Sequence, residues 1–187
     1  MLTANLQPEI TTERLLLRQF TQSDALSVQK LAGDEAIAAT ALNIPHPFED
    51  GMAEEWIATH QPDWEAGKAA NFAIVLRQNP ILVGAVGLSL NSANEEAELG
   101  YWIGKPYWGQ GYASEAALAV LEFGFETLKL DRIYATCLRR NIASAKVLQK
   151  LGMTQEGSHK QRVFHRGQFE EIELYGLLKK HKCGILL

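Results

Sequence analysis

The chain has 187 residues, of which 47% are apolar and 21% charged, and its formal net charge is −4. This composition excludes a disordered chain, and no uninterrupted apolar run approaches the ~18 residues of a membrane span. Two cysteines exclude a disulfide scaffold, the start does not resemble a signal peptide, and a negative net charge argues against nucleic acid or anionic membranes as partners. We therefore expect one soluble cytoplasmic domain over residues 1–187.

Hydrophobic periodicity predicts eleven elements in the order β-α-α-β-β-β-α-β-α-β-β. They are a strand at 13–20, helices at 23–32 and 50–65, strands at 71–77, 81–90 and 95–103, a helix at 112–128, a strand at 131–138, a helix at 141–151, and strands at 153–164 and 168–178. Ser23 is the expected N-cap of the first helix, which buries Leu26, Val28 and Leu31, and Pro62 is expected to interrupt the second. The order predicts an α/β (α+β) fold with a mixed sheet flanked by helices.

The helix predicted at 112–128 begins at a glycine-rich turn with the sequence KPYWGQGYASE. Helices usually begin at Ser, Thr, Asp or Asn, whereas this one is entered through Gly109 and Gly111. Free N–H groups at an uncapped start form an anion site, so the turn suits a pyrophosphate, although a plain glycine turn is almost as good an interpretation. Neither a P-loop nor a dinucleotide fingerprint matches the glycine spacing. On the same helix, Glu115 is expected on the solvated face.

Charge is distributed unevenly along the chain. Residues 129–187 hold 12 Lys/Arg and 5 Asp/Glu, a net charge of +7, whereas residues 1–128 hold 6 and 17, a net charge of −11. This asymmetry suggests two ligands of opposite sign, and charges clustered by chance on the surface explain it equally well.

Two polar residues begin the helix predicted at 141–151. Asn141 and Ser144 are three residues apart and therefore share one face of its first turn. Locally, Asn141 is a good N-cap and Ser144 an ordinary polar residue.

Together these motifs resemble the GNAT acyltransferases, in particular their Rim-type ribosomal-protein N-acetyltransferase branch. The resemblance covers most of the chain, and its motifs are TERLLLR at 12–18, IPHPF at 44–48, ELGYW at 98–102, WGQGYASEA at 108–116, Asn141-x-x-Ser144, LGM at 151–153 and the strand at 167–176. One departure is Trp108, which stands where the superfamily often has Gln or Arg.

The resemblance implies a mostly antiparallel sheet in which acetyl-coenzyme A (acetyl-CoA) lies between the splayed strands at 95–103 and 131–138. Its coenzyme-binding residues are Trp108, Gly109, Gln110, Gly111, Tyr112, Ala113, Asn141 and Ser144. The backbone amides of 109–113 are expected to hold the pyrophosphate and Asn141 the pantetheine arm. Lys146 and Lys150 are weaker candidates for the adenosine phosphates.

Acetyl transfer from a thioester to an amine requires a base, an oxyanion site and a stabilised thiolate. Strand alternation places Glu98 with Gly100 and Trp102 on the face opposite Leu99 and Tyr101. Given the resemblance, we predict Glu98 as the catalytic base, acting directly or through water, and a solvated surface glutamate is the alternative. Ser144 is the predicted catalytic group at the sulfur, and the resemblance implies that backbone N–H groups near 99–101 meet the oxyanion. No metal is predicted, because the histidines and cysteines lack ligand spacing.

The acceptor is expected to be an amine attracted by the acidic part of the chain, with His46, Phe48 and Trp64 at its entrance. A protein N-terminal α-amine is favoured, because its pKa of about 7.7–8.0 leaves far more neutral amine than a lysine pKa of about 10.4. A small-molecule amine, such as a polyamine, an aminoglycoside or an amino acid, is the alternative, and an acetyl-CoA-binding sensor without catalysis is a further one. The chain is expected to be a monomer or a homodimer.

Overall fold

The computed structural model describes residues 6–184 as one mixed sheet with helices on both faces. Within these residues the strands are β1 (Ile10–Thr11), β2 (Leu15–Arg18), β3 (Ala69–Leu76), β4 (Leu82–Asn91), β5 (Glu96–Ile103), β6 (Arg132–Leu138), β7 (Thr154–His165) and β8 (Gln168–Leu178). The α-helices are α1 (Ala25–Ala32), α2 (Glu35–Ala38), α3 (Met52–Glu65), α4 (Tyr112–Glu126) and α5 (Ile142–Lys150). Among the described residues, no helix has both the length and the apolar composition needed to cross a membrane.

The sheet is antiparallel except at its centre. Its strand order is β1-β2-β3-β4-β5-β6-β8-β7, and only β5 and β6 run parallel within the described chain. Their pairing covers three positions and ends where Glu98 lies opposite Tyr134. Beyond this point the two strands separate while β5 stays paired with β4 as far as Ile103.

Strand alternation divides the core into two layers. On one face, Phe72, Leu88 and Leu99 pack with α4 and α5 in the larger apolar cluster. On the other face, Ala73 and Val75 pack with α1 and α3 in the smaller cluster. We call these the α4–α5 face and the α1–α3 face.

The predicted mixed sheet flanked by helices is confirmed, while the N-terminal details differ. Leu26 is 76% exposed rather than buried, because α1 begins at Ala25 and its buried side is formed by Ala25, Val28, Leu31 and Ala32. Ser23 lies in a 3₁₀ turn and does not cap the helix. The turn is held instead by Asp24, which accepts hydrogen bonds from the Thr21 backbone and hydroxyl.

Two further differences concern the lengths of elements. The first predicted strand is shorter and is preceded by β1, and the sequence pattern did not predict the four-residue α2. Pro62 does not interrupt α3, which continues to Glu65. Proline removes one helical hydrogen bond, but Ala66 N–H still donates to the Pro62 carbonyl, and the neighbouring Trp64 is buried in the core.

Candidate active site

A cavity of about 1220 Å³ opens where β5 and β6 separate. Its walls include Leu99–Ile103 of β5, Ala135–Cys137 of β6 and the segment 107–114. It also extends across the α1–α3 face of the sheet, between α1, α3 and the loop after α2. The gap between the two strands therefore joins a space on each face of the sheet.

The glycine-rich turn lies at one end of this cavity. Gly109 and Gly111 adopt left-handed conformations, with φ of 75° and 80°. Gly111 is the N-cap residue of α4, and no side chain caps this helix, as the sequence predicted. The Trp108 indole donates a hydrogen bond to the Ile103 carbonyl (2.6 Å) and so anchors the start of the turn on β5. Uncapped N–H groups and the positive end of a helix dipole are suited to an anion, and here they lie at the cavity wall.

Asn141 lies across the gap from this turn, at the start of α5. Its Oδ1 accepts a hydrogen bond from the Ser144 backbone N–H (3.1 Å), which confirms the N-cap interpretation. Both residues also line the cavity. The Asn141 Nδ2 group has no protein partner among the described residues, so it is available to a ligand.

The carboxylate of Glu98 lies on the α1–α3 side of β5. The register of β4 with β5 runs without a shift from Gly84↔Ile103 to Asn91↔Glu96, so the predicted alternation of side chains is preserved. Glu98 lines the cavity, and its Oε1 accepts a hydrogen bond from the Thr136 hydroxyl of β6 (2.7 Å). A Cβ at Gly100 would meet no atom within 4 Å, so the space beside the carboxylate is open.

A hydroxyl pair lies on the opposite side of the same strand. The Tyr101 hydroxyl and the Ser144 Oγ are 2.8 Å apart, and both residues line the cavity with Cys137. Burial raises the pKa of Tyr101 to about 12 and that of Cys137 to about 11, so both remain protonated near neutral pH. Tyr101 was not predicted as a site residue. Strand alternation nevertheless places it on the face of β5 that α5 covers.

Comparison with known proteins identifies the family. Residues 14–154 match the acetyltransferase (GNAT) domain family. The chain belongs to the GNAT family. It is 32% identical over 172 residues to the N-acetyltransferase YnaD of Bacillus subtilis, covering 91% of this chain and 97% of that protein.

Solved structures agree with this assignment. A GNAT-family acetyltransferase from Bacillus anthracis is 31% identical with a TM-score of 0.81, covering 92% of this chain and 99% of that one. RimL, a ribosomal L7/L12 alpha-N-protein acetyltransferase solved with coenzyme A, has a TM-score of 0.83 and covers 93% of this chain and 98% of its own. Its 19% identity shows the common fold alone. The GNAT fold and membership of the acetyl-CoA-dependent N-acetyltransferases are thus established.

In this GNAT domain a polar clamp ties the glycine-rich turn to the N-terminal strands. The Glu115 carboxylate of α4 accepts hydrogen bonds from the Thr12 hydroxyl (2.6 Å), the Arg14 backbone N–H (2.8 Å) and the Arg14 Nε (2.6 Å). Arg14 also donates to the Gln110 carbonyl (2.9 Å) and lies over the Tyr112 ring. Although burial opposes ionisation of Glu115, these hydrogen bonds lower its pKa. The position of Glu115 on the helix predicted a solvated side chain. This prediction is wrong, because the carboxylate is hydrogen-bonded to Thr12 and Arg14.

The predicted acceptor residues are not brought together. Phe48 lines the cavity, whereas His46 is exposed and does not. Trp64 is 4% exposed and packs in the core, with its ring 6.4 Å from that of Phe123, so it does not belong to the entrance. Trp56, on the same helix as Trp64, lines the cavity instead.

The Trp56 ring is fixed in the cavity wall by two aromatic neighbours. It packs edge-on against Phe20 (5.0 Å between centroids) and His60 (4.4 Å). Burial lowers the pKa of His60 to about 4, so its ring is neutral and packs as an aromatic group.

The basic part of the chain contributes few free charges to the cavity. Its described arginine side chains form ion pairs, namely Arg132 with Glu96 and Glu156, Arg139 with Glu171, Arg140 with Glu170 and Arg166 with Glu35. Lys146 and Lys150 are exposed on α5 and do not line the cavity. Among the side chains that the structure describes, no group of three or more His, Cys, Asp or Glu is arranged to hold a metal ion.

Proposed function

We propose that this N-acetyltransferase transfers the acetyl group directly from acetyl-CoA to a primary amine in a ternary complex. The observation that carries the proposal is the opening between β5 and β6, with an uncapped helix start on one side and Glu98 on the other. The two substrates can then meet in the gap from opposite faces of the sheet. No covalent enzyme intermediate is needed.

The coenzyme is placed by the helix starts on the α4–α5 side. The backbone N–H groups of 109–113 bind the pyrophosphate, because they are free and lie at the positive end of α4. The pantetheine arm passes the Asn141 amide, whose Nδ2 has no partner among the described residues. The thioester at the end of this arm reaches the gap between β5 and β6. There the edge of β5 beyond Glu98 has no ladder to β6, so backbone N–H groups in 99–101 can meet the oxyanion.

Glu98 acts as the base and Ser144 as the group at the sulfur. The amine nitrogen attacks the thioester carbon, its proton passes to the Glu98 carboxylate directly or through water, and the carbon–sulfur bond breaks. The departing thiolate receives a hydrogen bond or a proton from Ser144. The Ser144 Oγ is itself hydrogen-bonded to the hydroxyl of the protonated Tyr101. Tyr101 thus supports the hydroxyl that faces the leaving group.

The acceptor we propose is a protein N-terminal α-amine. The Rim-type motifs of the sequence support it. The α-amine also suits a carboxylate base, since its pKa of about 7.7–8.0 leaves a substantial neutral fraction near neutral pH. A small-molecule amine is the alternative outcome of the test below.

The test combines an acceptor screen with a matched pair of variants. Thiol release from acetyl-CoA is measured with N-terminal peptides, polyamines, amino acids and aminoglycosides, and N-terminal peptides should give the highest kcat/KM. Glu98→Gln should lower kcat by roughly 10²–10⁴-fold while leaving the Kd for coenzyme A unchanged. Glu96→Gln is the control, because Glu96 lies on the same side of β5 but pairs with Arg132 outside the cavity. Undiminished turnover of Glu98→Gln would remove Glu98 as the base.

A further inference from the structure

The floor of the cavity, on the α1–α3 face of the sheet, contains a row of one asparagine and two glycines. Asn71 of β3 lies opposite Gly87 of β4, and Gly87 lies opposite Gly100 of β5. All three line the cavity. A Cβ at Gly87 would collide with the Asn71 Oδ1, whereas a Cβ at Gly100 would meet nothing within 4 Å. The Asn71 Oδ1 therefore lies over Gly87, on the side of β4 that faces the open space at Gly100.

This carboxamide has no hydrogen-bond partner among the described residues. The backbone of Asn71 is held separately, since the buried Gln7 side chain donates to its carbonyl oxygen (3.0 Å). A half-buried amide without a protein partner keeps both its donors and its acceptor available. The side chain is therefore suited to a polar group of the acceptor.

The spacing of the strands indicates which polar group would fit. Neighbouring strands are about 4.8 Å apart, so the amide over Gly87 lies about 5 Å from the space over Gly100 where the amine meets the thioester. In an α-amino acyl group the carbonyl oxygen lies roughly 3 Å from the amine nitrogen. A half-turn about the Asn71 Cβ–Cγ bond exchanges Oδ1 with Nδ2, and a hydrogen bond of about 2.9 Å from Nδ2–H to that carbonyl oxygen then spans the remaining distance. An alkylamine has no atom that can accept this bond.

Three apolar side chains and one acidic side chain line the cavity together with this row of residues. Phe48, Met52 and Trp56 line the same space, with Glu55 as the acidic residue of α3 there. An apolar group on the carbon next to the amine would be buried among these side chains, while the carboxylate favours an acceptor that arrives as a cation.

We propose that Asn71 is the acceptor-specificity residue and that it binds the carbonyl oxygen next to the amine. The substrate class is then an α-amino amide with an apolar side chain, as at the first residue of a peptide. The inference rests on the proposed acetyl transfer to a primary amine and adds the group by which the amine is selected.

The experiment compares two acceptors that differ in this carbonyl group. Leucinamide and 3-methylbutylamine both carry an isobutyl group on the carbon bearing the amine, and only leucinamide has the carbonyl. The ratio of their kcat/KM values is measured by thiol release in the native chain, in Asn71→Ala and in Asn71→Leu, which keeps the branching of the side chain and removes its polar atoms. Asn94→Ala is the control, because Asn94 lies in a turn outside the cavity. Comparing ratios between proteins removes the intrinsic difference in reactivity of the two amines.

Both Asn71 variants should lower the ratio about tenfold through a higher KM for leucinamide, with the KM for acetyl-CoA unchanged, and the control should keep the native ratio. A ratio that is equal in the native chain and both variants would overturn the role of Asn71 while leaving acetyl transfer intact. If the native chain acetylates no primary amine at all, the proposed function fails, and this inference fails with it.

Discussion

Replacing Gly111 with alanine tests where the coenzyme phosphates bind. The φ of 80° at Gly111 lies in the left-handed region, where a residue with a Cβ is disfavoured by about 1–2 kcal/mol. The new Cβ would lie 3.5 Å from Arg14 Nη2, an ordinary contact, so the cost arises in the backbone. For a chain of this length, such a loss lowers Tm by roughly 2–8 °C. If the turn relaxes, its N–H groups no longer point at the pyrophosphate, and each lost charge-assisted hydrogen bond is worth about 1.5–3 kcal/mol.

We therefore expect Gly111→Ala to weaken binding of coenzyme A at least tenfold by calorimetric titration, and Gly111→Val to abolish it. The matched control is Gly67→Ala, because Gly67 has a similar φ of 66°, no atoms near its would-be Cβ and no place in the cavity wall. It should lose a similar amount of Tm and bind coenzyme A normally. Equal affinities in Gly111→Ala and Gly67→Ala would show that the phosphates lie elsewhere.

Two further predictions concern the ion pairs near the N-terminus. Arg14→Met and Glu115→Gln should raise the KM for acetyl-CoA about 5–10-fold and leave kcat nearly unchanged, because they loosen the glycine-rich turn and lose about 1 kcal/mol of half-exposed pairing. Glu122→Gln, an exposed change on the same helix, is the control, and a fall in kcat alone would contradict the clamp. Asp24→Asn should destabilise the fold at neutral pH. Although burial raises the pKa of Asp24, hydrogen bonds from Arg18 and the Thr21 turn lower it overall, so its stabilisation is present above the ordinary carboxyl pKa and is lost as the pH falls through the lowered value. Urea unfolding is measured from pH 7 to pH 2. The difference in free energy of unfolding between the native chain and Asp24→Asn should shrink as the pH falls, and a constant difference would refute this reasoning.

Features that depend on neighbours along the chain could be predicted from the sequence. The uncapped start of α4 follows from Gly109 and Gly111, and the N-cap of α5 follows from Asn141, because each involves atoms within a few residues. The facing of Glu98 follows from strand alternation, which no bulge disturbs. These local rules predicted the geometry at the candidate coenzyme site and the candidate base, whereas the roles of these residues came from the resemblance to the GNAT acyltransferases.

Contacts between distant segments could not be predicted in the same way. Arg14 and Glu115 are 101 residues apart, and no periodic pattern joins them. Trp64 and Trp56 lie on the same helix eight residues apart, yet one is buried in the core while the other lines the cavity. That difference depends on where α3 crosses the sheet, which is set by packing and not by the helical pattern of α3 alone.

The uneven charge of the chain suggested two ligands of opposite sign. In the structure, several charges of the basic part form ion pairs within the protein instead. Arginines of the basic part neutralise acidic side chains on β5, β7, β8 and α2, so they hold the end of the sheet together. The candidate anion site is built instead from backbone N–H groups and a helix dipole, which carry no formal charge and do not enter a charge count. Composition alone therefore does not reveal this candidate site.

One strand positions the proposed base and the tyrosine that supports Ser144, because its side chains alternate. Glu98 and Tyr101 are separated by an odd number of positions in β5, so one faces the α1–α3 side and the other faces Ser144 on the α4–α5 side. The proposed proton acceptor, Glu98, and the proposed donor, Ser144, therefore lie on opposite sides of the strand, which suits a reaction in which amine and thiolate lie on opposite sides of the same carbonyl carbon. A register slip of one residue would exchange the two faces and bring Glu98 against α5. The unshifted pairing of β4 with β5 is therefore a requirement of the proposed chemistry as well as of the fold.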